Sequence, residues 1–154
     1  MRWFLVSSVV VLAQAGCNPP VRQFDVSVGE EEDGTPTLSW DVGKVHEVQV
    51  LKCNGACECD KDGHLDGEGT IVWSLGFLDD AAFGEVADAP PDIESPVLYG
   101  DTDVPGDDRH EEALPLEAGA KYGVDVRIQE PCDPPAAVGM HLEAQGCSTF
   151  VDEG

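Results

Sequence analysis

Lys121-Tyr122-Gly123-Val124-Asp125-Val126-Arg127-Ile128-Gln129 alternates from one face to the other without a break. Tyr122, Val124, Val126 and Ile128 share one face at the two-residue period of a strand, and Gly123, Asp125, Arg127 and Gln129 share the other. A helix would mix spacings of three and four, whereas the apolar residues here recur strictly every two. It therefore predicts a half-buried strand, whose apolar face requires a second layer of structure against it. Leu116-Glu117-Ala118-Gly119-Ala120 leads into it, with a glycine placed for a tight turn.

Working outward, the same period recurs in short bursts. Arg22 to Val28 alternates through Phe24, Val26 and Val28. Thr37-Leu38-Ser39-Trp40-Asp41 reads as a strand, as does Val45 to Lys52 with Val48 and Val50 on one face. Thr70 to Phe77 predicts another, with Ile71, Trp73 and Leu75 together, and Ser95 to Tyr99 a short edge strand. Val138 to Leu142 and Ser148 to Val151 read as a closing pair. Gly29 to Gly34 is an acidic turn, Gly100 to Asp108 an acidic loop, and Cys53 to Gly69 a long loop with no apolar period. Leu78 to Ala89 has room for one helical turn before Ala89-Pro90-Pro91 ends it. Valine dominates the apolar residues, and 17 Gly and 11 Pro punctuate them, a balance that favours strands and turns. The fold class expected is all-β: a single sandwich of about seven strands over residues 35–154.

Leu116 to Val126 resembles the fibronectin type III signature, in which Leu, Gly, Tyr and alternating Val precede and run along the sixth strand. Leu38-Ser39-Trp40 resembles that family's second strand, whose Trp fills the core. The resemblance spans residues 35–151 and implies an immunoglobulin/fibronectin type III-like sandwich. Tyr122 is expected to bury its ring and engage backbone just upstream with its hydroxyl. The Cys53 to Gly69 insertion departs from the family pattern. The fold hosts many functions and selects none of them.

Lys and Arg number 8 against 31 Asp and Glu, a formal net charge of -23. Nucleic-acid binding needs clustered Lys and Arg that displace counterions, so it is excluded as an expectation. The apolar fraction of 42% is too high for a disordered acidic tail.

Met1-Arg2 is followed by an apolar run from Trp3 to Ala13, interrupted at Ser7 and Ser8, then by Ala15-Gly16-Cys17. The run is too short for a permanent membrane span and suits the centre of a signal peptide. Gln14-Ala15-Gly16-Cys17 resembles the bacterial lipobox, departing from it at Gln14, where the family prefers Leu. The resemblance implies a cleaved signal helix over residues 1–16, lipidation of Cys17 (with a palmitate-type acyl chain), and a lipid-anchored tether over 17–34 that begins Asn18-Pro19-Pro20. Cleavage removes Arg2 and no acidic residue, which takes the formal charge from -23 to -24. Asn18 carries no inner-membrane retention signal, so the expected place is the cell envelope, at the outer membrane or periplasmic face. Soluble secretion is the alternative. The partners expected are the membrane, through the anchor, and a protein or glycan on the displayed domain.

Six cysteines are present. Lipidation of Cys17 leaves Cys53, Cys57, Cys59, Cys132 and Cys147, an odd number, as disulfide candidates. The arrangement expected pairs Cys132 with Cys147 and Cys53 with either Cys57 or Cys59. A competing reading is a zinc site at Cys53, Cys57 and Cys59 with His46 or His64. Glu58 to Gly69 resembles an EF-hand-type calcium loop such as those of dockerins and thrombospondin type 3 repeats. The resemblance makes Glu58, Asp60, Asp62, Asp66 and Glu68 candidate Ca2+ ligands, with Gly63 at the sharp turn and His64 offering its carbonyl. It departs from the family at Glu58, where Asp is usual, and at Gly69, where a bidentate carboxylate is usual. A solvated acidic loop is the plainer reading. His46, His64, His110 and His141 lie in no nucleophile or metalloprotease motif, and no Ser sits in a G-x-S-x-G context. The expectation is an interaction or structural module, not an enzyme, with a calcium- or metal-binding envelope domain as the alternative.

Overall fold

A computed structural model describes residues 20–76, 93–103, 110–131 and 140–154. The signal segment, Cys17, the 78–89 segment and Cys132 lie outside these. The described residues form strands and no helix, so the described part of the chain is all-β. The elements are β1 (Arg22–Gln23), β2 (Val26–Glu30), β3 (Pro36–Trp40), β4 (Glu47–Cys53), β5 (Glu58–Cys59), β6 (Leu65–Asp66), β7 (Gly69–Leu75), β8 (Val97–Leu98), β9 (His110–Glu111), β10 (Lys121–Pro131) and β11 (Met140–Val151). One sheet runs β1-β11-β10-β4-β7-β9, a second runs β2-β3-β8, and β5 pairs with β6 alone.

The alternation of β10 sets the architecture. Tyr122, Val124 and Val126 are buried in one apolar cluster with Val48 and Val50 of β4, Trp73 and Leu75 of β7, and Leu38 and Trp40 of β3. Both sheets thus share one core, which buries the faces that alternation exposes on each. Glu117 N–H donates to the Tyr122 hydroxyl at 2.8 Å, so the ring is buried and its polar end is satisfied at the corner, as the sequence predicts. Trp40 is likewise buried, and its Nε1–H donates to the Gly43 carbonyl at 3.0 Å.

Three local readings change. The Arg22 to Val28 period is one stretch of chain but two strands: β1 pairs in parallel with β11, and β2 pairs antiparallel with β3. The chain crosses between sheets at Phe24-Asp25, which alternation cannot reveal because both partners accept the same pattern. In β7, Trp73 faces Val50 while Ile71 faces Leu51, leaving Val72 as the extra residue of a bulge. The bulge moves Ile71 to the opposite face from Trp73. Finally, the expected closing pair is one twelve-residue strand, β11, lying along β10. Its middle, Ala144-Gln145-Gly146, lies between the two stretches that the sequence predicts as separate strands. A Cβ on Gly146 would lie 2.5 Å from the Phe24 carbonyl oxygen and 2.8 Å from its ring. The glycine is there to admit Phe24 against the strand, not to bend it.

Candidate functional site

The Cys53 to Gly69 insertion is folded and pinned. Cys53 bonds to Cys57 with Cα atoms 5.7 Å apart, closing the base of the insertion. Cys59 bonds to Cys147 with Cα atoms 5.8 Å apart, tying β5 to β11. Between them β5 and β6 form a miniature hairpin, Glu58 opposite Asp66 and Cys59 opposite Leu65. The tip is an aspartate-capped turn. Asp60 Oδ1 accepts from the N–H of Asp62 at 2.8 Å and of His64 at 2.9 Å, and Gly63 takes φ +72°. These bonds, that to His64 foremost, hold the Asp60 carboxyl below the usual carboxylate range. The Leu65 side chain lies over Gly123, where a Cβ would meet it at 2.5 Å. The Gln145 amide donates to the Asp62 carbonyl at 3.1 Å, and the Gln23 amide to that of Lys61. Hairpin, bridges and amides together fasten the insertion to the outer face of the larger sheet.

This arrangement does not gather the candidate ligands around one point. Among the described residues no three carboxylate, imidazole or thiol groups converge as metal ligands. Glu58 and Asp66 are a cross-strand pair, Asp60 is turned onto its own backbone, and Asp62 pairs with Lys61 at 3.4 Å. A hairpin with its strands in register holds the first and ninth positions of the candidate calcium loop side by side on its flank. An EF-hand loop curls them around a centre. The thiolate reading fails for a simpler reason: Cys53, Cys57 and Cys59 are all in disulfides. His46 is elsewhere, its Nδ1 accepting the Gln129 N–H at 3.1 Å. Cys147 is bonded to Cys59 and not to Cys132, while Cys53 takes Cys57, one of its two expected partners.

Sequence reasoning passed over a row of charged and amide groups on the same outer face. Glu47 of β4 is opposite Arg127 of β10, and Gln49 is opposite Asp125. Glu47 is 1% exposed and Asp125 6% exposed, far below what a solvated outer face would give. Arg127 Nη2 contacts Asp125 Oδ2 at 2.5 Å, and the Gln129 amide donates to Glu47 Oε2 at 3.4 Å. Burial pushes the Glu47 carboxyl up to about 7, the Arg127 guanidinium opposing and the Asp125 carboxylate adding to the effect. Among the described residues Glu47 Oε1, Asp125 Oδ1 and Arg127 Nε lack hydrogen-bond partners. Two carboxylates facing one guanidinium leave an excess negative charge, and a proton on Glu47 near neutrality removes it. The signal available in the sequence was opposite charge at outward positions, Glu47 on one strand and Arg127 on the next. Only the strand register brings them together.

Two clefts lie on the flank where the chain changes sheets. One, of about 370 Å³, sits over the Cys59–Cys147 bridge between Phe24-Asp25 and the Asp60 turn. The other, of about 480 Å³, lies between β2 with its following turn and the end of β11. The Glu47 row lines neither. Comparison with protein-family models, with curated proteins and with solved structures finds no match to this chain.

Proposed function

We propose that this chain is an exported, lipid-anchored interaction module of the cell envelope, its domain a fibronectin type III-like sandwich displayed from the Cys17 anchor. The observation that carries the reading is the pair of disulfides built into the insertion, since such bonds form and persist in oxidising compartments outside the cytoplasm. Export agrees with the Met1 to Cys17 pattern, and lipidation agrees with the lipobox-like Ala15-Gly16-Cys17. The sandwich reading is supported by the division of the main strands. The first and second, β2 and β3, share a sheet with β8, and the third, sixth and seventh, β4, β10 and β11, share the other. β7 joins the sheet of β4, the arrangement that goes with a fibronectin type III-like rather than an immunoglobulin constant-type division. Tyr122 at its corner and Trp40 in the core fit the same pattern. The calcium alternative has no comparable observation in its favour, because its five carboxylates do not converge.

Cysteine parity supplies the test. Four of the six cysteines are paired among the described residues, and Cys17 and Cys132 lie outside these. In the processed lipoprotein the Cys17 sulfur is acylated, and the denatured, unreduced protein then titrates a single thiol, that of Cys132. The unaltered protein should fractionate with membranes, and Cys17→Ser should release it or leave the signal uncleaved. Unchanged processing and membrane attachment in Cys17→Ser, or an unreduced thiol count of none or two, would reject the anchor.

A further inference from the structure

The larger sheet ends in a strand whose outer edge is only partly used. β1 pairs with β11 at Ala144 and Gln145, and then the chain leaves for the other sheet. Beyond this point the backbone direction along β11 is fixed by its neighbours. On the outer side the Phe24 N–H donates to the Gln145 carbonyl at 3.2 Å. On the inner side Asp152 N–H donates to the Ala120 carbonyl at 3.1 Å, and Gly119 N–H donates to the Asp152 carbonyl at 2.7 Å. Successive residues of a strand point their backbone groups to alternate sides. The N–H and C=O of Thr149 and Val151 therefore point away from β10, where no strand of the described chain meets them. β2 is in the same position. Asp25 and Glu31 bond toward β3 and its turn, so the backbone groups of Val28 and Glu30 face outward. These two edges belong to different sheets and border the same 480 Å³ groove.

The groove has an apolar floor and an acidic rim. Val28 and Phe150 are packed against the core from below, and Val151 is 53% exposed. Glu30, Glu32, Asp33, Asp152 and Glu153 line the opening. No Lys or Arg lines the groove. We infer that this seam binds an extended, lysine- or arginine-bearing segment of a partner protein, which adds as a strand along Thr149 to Val151 of β11. An added strand pairs with the outward-facing backbone groups, and its alternate side chains meet the apolar floor and the carboxylate rim in turn. Charge selects the occupant. A second copy of this chain would bring a net charge of -23 against the rim, and anionic lipid would be repelled for the same reason. The rim thus blocks the self-pairing to which open strand edges are prone, while admitting a basic strand.

This inference rests on the interaction-module reading but is tested apart from the anchor. The probe is a fluorescent octapeptide of alternating lysine and valine, titrated into the full processed protein. Saturable binding is expected, weakened at least about tenfold when alternate peptide nitrogens are N-methylated, which removes ladder donors without changing charge. The Thr149 and Val151 amides should gain protection from hydrogen exchange on binding. Thr149→Pro should weaken binding similarly, and it leaves the β10 ladder intact because the lost N–H faces outward. Should Thr149→Pro fail to fold, the N-methylated peptide on unaltered protein still decides. Absence of saturation at millimolar peptide, equal binding of the N-methylated peptide or of a glutamate–valine counterpart, or protection confined to other strands would overturn the inference. None of these outcomes bears on whether Cys17 carries the anchor.

Discussion

Removing the Cys59–Cys147 bridge by the double change Cys59→Ala and Cys147→Ala tests how the insertion is held. The bridge spans 88 residues, and the entropy it removes from the unfolded chain corresponds to about 4.6 kcal/mol on the loop-closure relation. The Cys53–Cys57 bridge spans 4 residues, for which the same relation gives about 2 kcal/mol. Domains of this kind are stable by only about 5–15 kcal/mol, so loss of the long bridge removes a large share of the total. The assay is urea unfolding followed by tryptophan fluorescence, with Trp73 fully buried and Trp40 nearly so. The midpoint should fall much further for the Cys59/Cys147 variant than for Cys53→Ala with Cys57→Ala. The slope should rise in both, because the uncrosslinked chain exposes more surface. Equal losses in the two variants, or a larger loss in Cys53/Cys57, would refute the reasoning. Chain entropy would then not be what the long bridge supplies.

Trp73 is fully buried and meets Tyr99 edge-on at 5.3 Å; Trp73→Ala should cost about 3–5 kcal/mol in the same assay. Gly123→Ala places a methyl against Leu65 and Cys57 and should cost about 1–3 kcal/mol by overpacking, with hydrogen exchange rising first in β5 and β6. Asp60→Ala uncaps the turn and should lower the melting temperature equally in millimolar calcium and in chelator, as a capping role requires and a ligand role does not. Glu47 titrates at about 7 in the fold against 4.5 for the ordinary group, so its burial favours the native state fully below pH 4.5 and ceases to do so as pH rises through 7. The stability difference between native protein and Glu47→Gln should therefore change by on the order of 3 kcal/mol across that window, and no change would reject a neutral buried Glu47.

The all-β class was legible because a two-residue period needs no knowledge of partners. β10 announces itself, and Leu38 and Trp40 are spaced for one face of β3. What alternation leaves out is the identity of the neighbour. It gives two faces to β7 but cannot place the Val72 bulge, which depends on the fit of Trp73 against Val50 and Ile71 against Leu51. It gives Asp125 and Arg127 an outward face but not its burial. That burial arises only when β4 lies in a register that sets Glu47 beside Arg127.

The disulfide pairing shows the same division more sharply. Closing Cys132 to Cys147 spans 15 residues, and the shorter loop costs less chain entropy than one of 88 residues. Entropy alone therefore favours the pairing that the sequence suggests. The sheet decides otherwise through one contact. Leu65 sits on Gly123, the residue of β10 with no side chain to obstruct it. Leu65 is the cross-strand partner of Cys59 in the hairpin. Across the sheet, Gly123 lies opposite Thr149, and Asp125 lies opposite Cys147. Seating Leu65 on Gly123 thus brings Cys59 to the flank of β11 where Cys147 stands. The glycine that reads in the sequence as a mere gap in the outward face of β10 is the seat that selects the bridge, and the bridge in turn fixes the insertion against the sheet.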